Sequence, residues 1–286
     1  MSDQTIFLLS MPKDWSREEV EITVAAYFEM LAKEQAGIPF NKAEMRRKIL
    51  PLLNSRSQSA IEFKNQNISA VLAAIGQPYI SGYLPASNYQ ALLAEVVFDQ
   101  LRTKPQIEES FQLFASTPPK HSRLIFDTMV EDRPTRKLNA EEPKIQYRTP
   151  VKVNYIAVEQ ANRDVGLWGE KVALDYERWR LVKAGKAGLA DKIEWVSQTQ
   201  GDGLGFDILS RNDNGTDRYI EVKATKLTKQ APFYFSALEY DFSKRNKTNF
   251  FLYRVFNLHA DPRLFIANGA YDDFCNIGPT HYKGSF

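Results

Sequence analysis

The chain has 286 residues, of which 43% are hydrophobic and 25% charged, and its net charge is +2. These proportions are typical of a globular protein with one large domain or two ordinary ones, and the balanced charge requires any nucleic-acid contact to be local. The single cysteine, Cys275, excludes an intrachain disulfide and a cysteine-rich metal site. The sequence contains no run of about 18 apolar residues and no basic region before its first apolar stretch, so we expect a cytoplasmic protein without a membrane span.

Residues 1–115 are predicted to form an α-helical domain. Ser16 and Glu19 have the spacing of a capping box, and an apolar stripe at helical spacing follows them. Gly37 is a plausible end for this first helix, and Asn41 a plausible start for the second. Further helical patterns continue to about residue 115.

A group of basic residues in this helical domain is mixed with Asn, Gln and Ser. Basic side chains suit phosphates and amide side chains suit base edges, so the segment favours a DNA-targeting role. A helical domain with a solvated polar face is the alternative. The candidate nucleic-acid contacts are Arg46, Arg47, Lys48, Arg56 and Lys64.

Residues 116–155 are rich in proline and charge and show little periodicity, which predicts a linker with one short ordered piece, LIFDTMV. Residues 156–286 predict a second, mixed domain. Helices are predicted over 165–185 and 236–247, the second with a capping box at Ser236 and Glu239. Strands are predicted over 193–198, 206–210, 218–224, 232–236, 250–256 and 263–267.

Charged residues fall within two of these predicted strands, which an Asn-Asp-Asn-Gly turn joins into a hairpin. Side chains alternate along a strand, so Glu221 and Lys223 share a face, and the hairpin can bring Asp207 level with them. Two carboxylates side by side repel each other unless a cation lies between them, and Mg²⁺ binds through one or two carboxylates with waters and phosphate oxygens. Glu170, on the preceding helix, is the candidate third acid.

These residues resemble the PD-(D/E)xK nuclease superfamily: Asp207, then Glu221-Val222-Lys223 after a hairpin, with Glu170 upstream. The order GLWGEKVAL, GFDILS, YIEVKATK, FYFSALEYDFSK and FFLYRVF also resembles the NO VEIN C-terminal-type domain of bacterial restriction-like proteins over about residues 160–270. The superfamily's proline before the aspartate is absent, and Phe206 stands there.

The resemblance implies an α+β protein, in which an all-α amino-terminal domain precedes a restriction-endonuclease-like mixed sheet flanked by helices. It implies a Mg²⁺- or Mn²⁺-dependent endonuclease acting on DNA in restriction or phage defence. Asp207, Glu221 and Glu170 would hold the metal, and Lys223 would act on water or the transition state. A homodimer and a helicase or methyltransferase partner fit such a system.

Two alternatives remain open at this point. The charged hairpin is also compatible with an exposed strand pair held by ordinary salt bridges. The domain is also compatible with a catalytically inactive nucleic-acid-binding or interaction module of a multi-subunit defence system.

Overall fold

The computed structural model describes residues 14–86, 88–135, 155–201 and 203–278. The chain divides into two compact units, Met1–Leu72 with Gly82–Ser110 and Ala73–Ser81 with Phe111–Phe286. We call these the helical unit and the sheet unit. The predicted division into 1–115, 116–155 and 156–286 stays a prediction, because residues 136–154 lie outside the described residues.

Up to residue 116, the described residues form five α-helices: α1 (Arg17–Gln35), α2 (Lys42–Ile49), α3 (Gln58–Ala74), α4 (Ala91–Thr103) and α5 (Pro105–Ser116). The capping box predicted at the start of α1 is confirmed, since Ser16 and Glu19 exchange both hydrogen bonds. Gly37 follows α1 with a φ of 68°, a conformation that suits glycine. Val20 and Val24 are fully buried, as the stripe predicts.

The later elements build the mixed part of the fold. The helices are α6 (Phe126–Met129), α7 (Tyr155–Gln160), α8 (Arg163–Lys183), α9 (Ala187–Ala190), α10 (Val196–Thr199), α11 (Ala237–Arg245) and α12 (Tyr271–Phe274). The strands are β1 (Glu194–Trp195), β2 (Ile208–Arg211), β3 (Asp217–Ala224), β4 (Phe250–Phe256) and β5 (Arg263–Asn268). Across the described ranges, none of the helices has both the length and the apolar character that crossing a bilayer requires.

The five strands form one mixed sheet in the order β1-β2-β3-β4-β5. Strands β1, β2 and β3 pair antiparallel, β3 and β4 pair parallel with α11 as the crossover, and β5 returns antiparallel to β4. With the helices before it and around it, this sheet confirms the predicted α+β fold class.

The two faces of the sheet are covered by different helices. On one face, α8 contributes Val172 and Tyr176 to a core with Ile208 and Ile220. On the other, Tyr271 of α12 packs with Phe250 and Leu252, and aromatic residues around α11 surround them. Apolar packing therefore covers both faces, and a charged side chain that is buried on the sheet needs a partner inside the fold.

One predicted strand is shorter than expected, and another is wrong. Only Glu194 and Trp195 of the segment 193–198 pair in the sheet, and α10 begins directly after them. Residues 232–236 are irregular, because the side-chain amide of Gln160 bonds both the backbone N–H and the carbonyl of Tyr234. The backbone that would pair with a strand is already satisfied there.

The ordered piece predicted within the linker packs on the sheet unit. Leu124 and Phe126 lie against the core beneath α8. Val130 forms an isolated parallel bridge to Leu264 of β5, and the N–H of Glu131 donates to the carbonyl of Leu264. This segment thus covers part of the outer edge of β5.

A close approach of α8 to β3 makes one helical glycine necessary. A Cβ on Gly169 would lie 2.3 Å from the Cβ of Ala224, whereas a Cβ on Gly166 of the same helix would meet nothing within 4 Å. We expect Gly169→Ala to lower the free energy of unfolding by about 1–3 kcal/mol, because the helix must move off the sheet. Gly166→Ala, the matched control, should raise it by up to about 1 kcal/mol through helix propensity. Urea unfolding of both variants tests this contrast, and equal effects would contradict it.

Candidate active site

The hairpin places Asp207 and Glu221 opposite each other. Ile208 pairs with Ile220, so continuing the antiparallel register by one residue sets Asp207 beside Glu221 on the face away from α8. The N–H of Asp207 donates to the carbonyl of Ile220 at 2.9 Å. Its carboxylate Oδ2 accepts from the backbone N–H of Val222 at 2.8 Å, which orients the side chain along the strand.

The ammonium of Lys223 lies between two carboxylates. Its Nζ is 2.7 Å from Oε1 of Glu221 and 2.7 Å from Oε2 of Glu239. Only 9% of the Lys223 side chain and 5% of the Glu221 side chain are exposed. Glu239 lies in the first turn of α11, the helix that connects β3 to β4. The site is therefore a buried charge cluster that joins β3, α11 and the residue before β2. This burial excludes an exposed strand pair held by ordinary salt bridges.

Two carboxyl groups at the site, those of Asp207 and Glu221, have raised pKa values. Burial, followed by the charge of Glu170, raises the pKa of Asp207 to about 7. Burial, followed by the charge of Asp207, raises the pKa of Glu221 well above its ordinary value. Burial would lower the pKa of Lys223, but Glu221 and Glu239 more than offset that effect and raise it. One ammonium thus faces an excess of acid, and a further cation would be stabilised there.

Glu170 approaches the cluster from α8 but is held by its own partners. Its Oε2 accepts hydrogen bonds from Nε1 of Trp195 at 2.5 Å and from the hydroxyl of Ser197. The backbone N–H of Ser197 also donates to the carbonyl of Asp207. The segment β1–α10 thereby links Glu170 to the aspartate that its charge influences.

Of the four acids at the site, Asp207 and Glu221 are the two that would bind a hard divalent cation directly. Among the residues that the structure describes, no three Asp, Glu, His or Cys side chains converge as a three-ligand metal site requires. Mg²⁺ needs only one or two carboxylates and fills its other positions with water and phosphate oxygens. Asp207 and Glu221 meet that demand, while Glu170, the predicted third ligand, is engaged by Trp195 and Ser197.

The residue before Asp207 anchors the loop to α11. The Phe206 ring packs on the rings of Tyr219 and Phe242, with centroids 5.0 Å and 5.1 Å away. Gly205 has a φ of 87°, and a Cβ there would lie 2.7 Å from the Cβ of Phe242. Aromatic packing thus holds the chain directly before Asp207.

Comparison with known proteins locates the site within a recognised domain. Residues 169–267 match the family model described as Protein NO VEIN, C-terminal. Protein NO VEIN-LIKE from Arabidopsis thaliana is 30% identical over 93 residues, which are 32% of this chain and 13% of that relative. No solved structure matches the chain. The NO VEIN-type resemblance predicted over about residues 160–270 is confirmed for this segment, and all the acids of the cluster lie inside it.

The basic residues predicted to contact nucleic acid do not form one exposed surface. Arg56 is partly buried and pairs with Glu19, with Nε 2.8 Å from Oε1. Lys64 is buried, donates to Oε1 of Gln90, and lies 4.7 Å from the Trp15 ring centroid. The remaining three lie on α2, where Arg46 pairs with Glu62, Lys48 lies 3.8 Å from Glu29 and Arg47 is exposed.

Glu239 is the site residue that the sequence analysis did not select. Its spacing after Ser236 predicts a capping box, and the first half is present, since the N–H of Glu239 donates to the Ser236 hydroxyl at 3.2 Å. The carboxylate, however, bonds Lys223. The available signal was its position just after the charged strand, in the crossover helix that must pack beside it.

Proposed function

We propose that the sheet unit hydrolyses phosphodiester bonds in DNA as a Mg²⁺- or Mn²⁺-dependent endonuclease. The observation that carries the proposal is the buried convergence of Asp207 and Glu221 with Lys223, whose ammonium is 2.7 Å from Glu221. The raised pKa values of both carboxyl groups support a cation as the missing partner. The setting proposed is restriction or phage defence, with DNA as partner and a homodimer, helicase or methyltransferase as further components.

In this proposal each side chain has a separate role. Asp207 and Glu221 hold the metal, which when bound supplies an acidic water and neutralises charge on the phosphate. Lys223 presents its ammonium to the phosphate oxygens, where negative charge grows in the transition state. Glu170 holds β1–α10 in place through Trp195 and Ser197 and completes the negative field around Asp207.

A second candidate function is a nucleic-acid-binding or interaction module that does not cleave. The observation that favours it is the engagement of Glu170 with Trp195 and Ser197, which leaves two direct carboxylate ligands for a metal. The two functions differ in one measurable respect, since only the first requires Asp207 and Lys223 for turnover.

The test is cleavage of plasmid DNA by the full chain with Mg²⁺ or Mn²⁺, using unmodified, methylated and hydroxymethylated substrates. We expect Asp207→Asn and Lys223→Ala to reduce the rate at least about 100-fold while DNA binding persists. Asp213→Asn, at an exposed position in the hairpin turn, is the matched control and should cleave normally. Folded wild-type protein that cuts none of these substrates would refute the nuclease proposal and favour the binding module.

A further inference from the structure

Glu239 and Glu221 both contact the Lys223 ammonium, but only Glu239 lies outside the proposed metal position. Both carboxylates are 2.7 Å from the ammonium, but they differ in their surroundings. Glu221 lies in β3 opposite Asp207, at the position proposed to bind the metal. Glu239 comes from α11 and is somewhat more accessible, with 21% of its side chain exposed.

Cation binding and the Glu221–Lys223 ion pair compete for the same carboxylate. A Glu221 side chain that neutralises a divalent cation attracts the ammonium less, and the cation itself repels the ammonium at short range. Without another partner, the flexible lysine side chain would gain rotational freedom by leaving the site. Glu239 is the second carboxylate in contact with Lys223, and it does not depend on the metal position.

Resting on the proposed function, we propose that Glu239 is a positioning residue, which keeps the Lys223 ammonium in the site while Glu221 binds the metal. The carboxylate would act through Lys223 and would touch neither the phosphate nor the metal. In the metal-free protein Lys223 pairs with both acids. When Glu221 binds the metal, it would leave this ion pair and Glu239 would keep it.

The experiment compares wild type, Glu239→Gln and Asp241→Asn in the full chain. Asp241 lies two residues further along α11 and is exposed, so its variant removes an equal charge from the same helix. Single-turnover cleavage is measured together with DNA affinity. We expect Glu239→Gln to cleave about tenfold more slowly or worse with unchanged DNA affinity, and Asp241→Asn to match wild type.

A second readout does not require turnover. In protein labelled with ¹⁵N-lysine and saturated with Mg²⁺, the Nζ resonance of Lys223, assigned with Lys223→Arg, should persist in wild type and be lost in Glu239→Gln. Cleavage and resonance equal to wild type in folded Glu239→Gln would overturn the positioning role and leave the nuclease proposal intact. Wild type that binds Mg²⁺ without cleaving overturns the nuclease proposal, and the resonance then decides on Glu239. Wild type that neither cleaves nor binds Mg²⁺ overturns both.

Discussion

Replacing Glu177 with alanine is expected to lower the free energy of unfolding by about 3–5 kcal/mol, because it breaks a buried ionic network by removing its anion. Glu177 lies on α8 and its side chain has no exposed surface. It accepts hydrogen bonds from both Nε and Nη2 of Arg180 at 2.9 and 2.8 Å, and from the hydroxyls of Ser210 and Tyr253. Arg218 approaches it at 3.7 Å.

The size of this effect comes from the groups that Glu177→Ala would leave behind. Arg180 and Arg218 would lose their buried counter-charge, and the buried hydroxyl of Tyr253 would lose its acceptor. Arg180 also pairs with Asp213 at 2.6 Å, but the Asp213 side chain is 67% exposed. Asp213→Ala, the matched control, should therefore cost no more than about 1 kcal/mol.

Urea unfolding followed by tryptophan fluorescence measures both variants, since Trp168, Trp179 and Trp195 all lie in the sheet unit. Equal losses for Glu177→Ala and Asp213→Ala would show that the network contributes little beyond an exposed ion pair.

Asp207→Asn is expected to make the metal-free protein more stable at pH 8, while abolishing the proposed cleavage. The folded-state pKa of Asp207, about 7, lies above the value of about 3.9 for an unfolded chain. Between these values the folded state binds more protons than the unfolded state, so wild-type stability falls as the pH rises from about 4 to 7. Each pKa difference of 1 corresponds to about 1.4 kcal/mol, which gives a gain of roughly 2–4 kcal/mol for asparagine at pH 8.

The pH dependence separates this effect from ordinary repacking. Below about pH 4 the wild-type carboxyl is protonated in the folded state, and the advantage of asparagine should vanish. Asparagine retains a carbonyl oxygen for the N–H of Val222, so the local backbone contact survives. Asp217→Asn, in the same hairpin with a side chain that is 46% exposed, should show no comparable gain.

Thermal and urea unfolding in EDTA at pH 4, 6 and 8 test the prediction. Mg²⁺ should then stabilise the wild type more than Asp207→Asn, because a ligand stabilises only the state that binds it. An Asp207→Asn variant less stable than wild type at pH 8 in EDTA would show that the Asp207 charge does not destabilise the metal-free site.

The hairpin of the site was predictable because its information is local. Strand alternation places Glu221 and Lys223 on one face, and the short turn brings Asp207 level with them. The α+β class followed from the change in apolar periodicity between the two halves of the chain. Those inferences require only neighbours in sequence.

Several features could not be predicted because they depend on partners that are distant in sequence. The aromatic run 232–236 reads as a strand, but Gln160 satisfies its backbone and its rings pack inward, with Phe235 stacked on Tyr271. Arg56 fits a DNA contact by sequence, and the structure pairs it with Glu19 of α1. Glu239 reads as a helix cap until the crossover brings it to Lys223. Contacts between residues far apart in the chain determine where such side chains lie, and a single sequence does not reveal those contacts.

The aromatic contact of Phe206 with Phe242 has a mechanical consequence. Phe242 lies on α11 one turn after Glu239, and the Phe206 ring directly precedes Asp207. The absence of a Cβ at Gly205 lets the loop backbone lie against the same Phe242 side chain. A tilt of α11 would therefore move Asp207 together with Glu239, so the positions of the two acids are mechanically coupled.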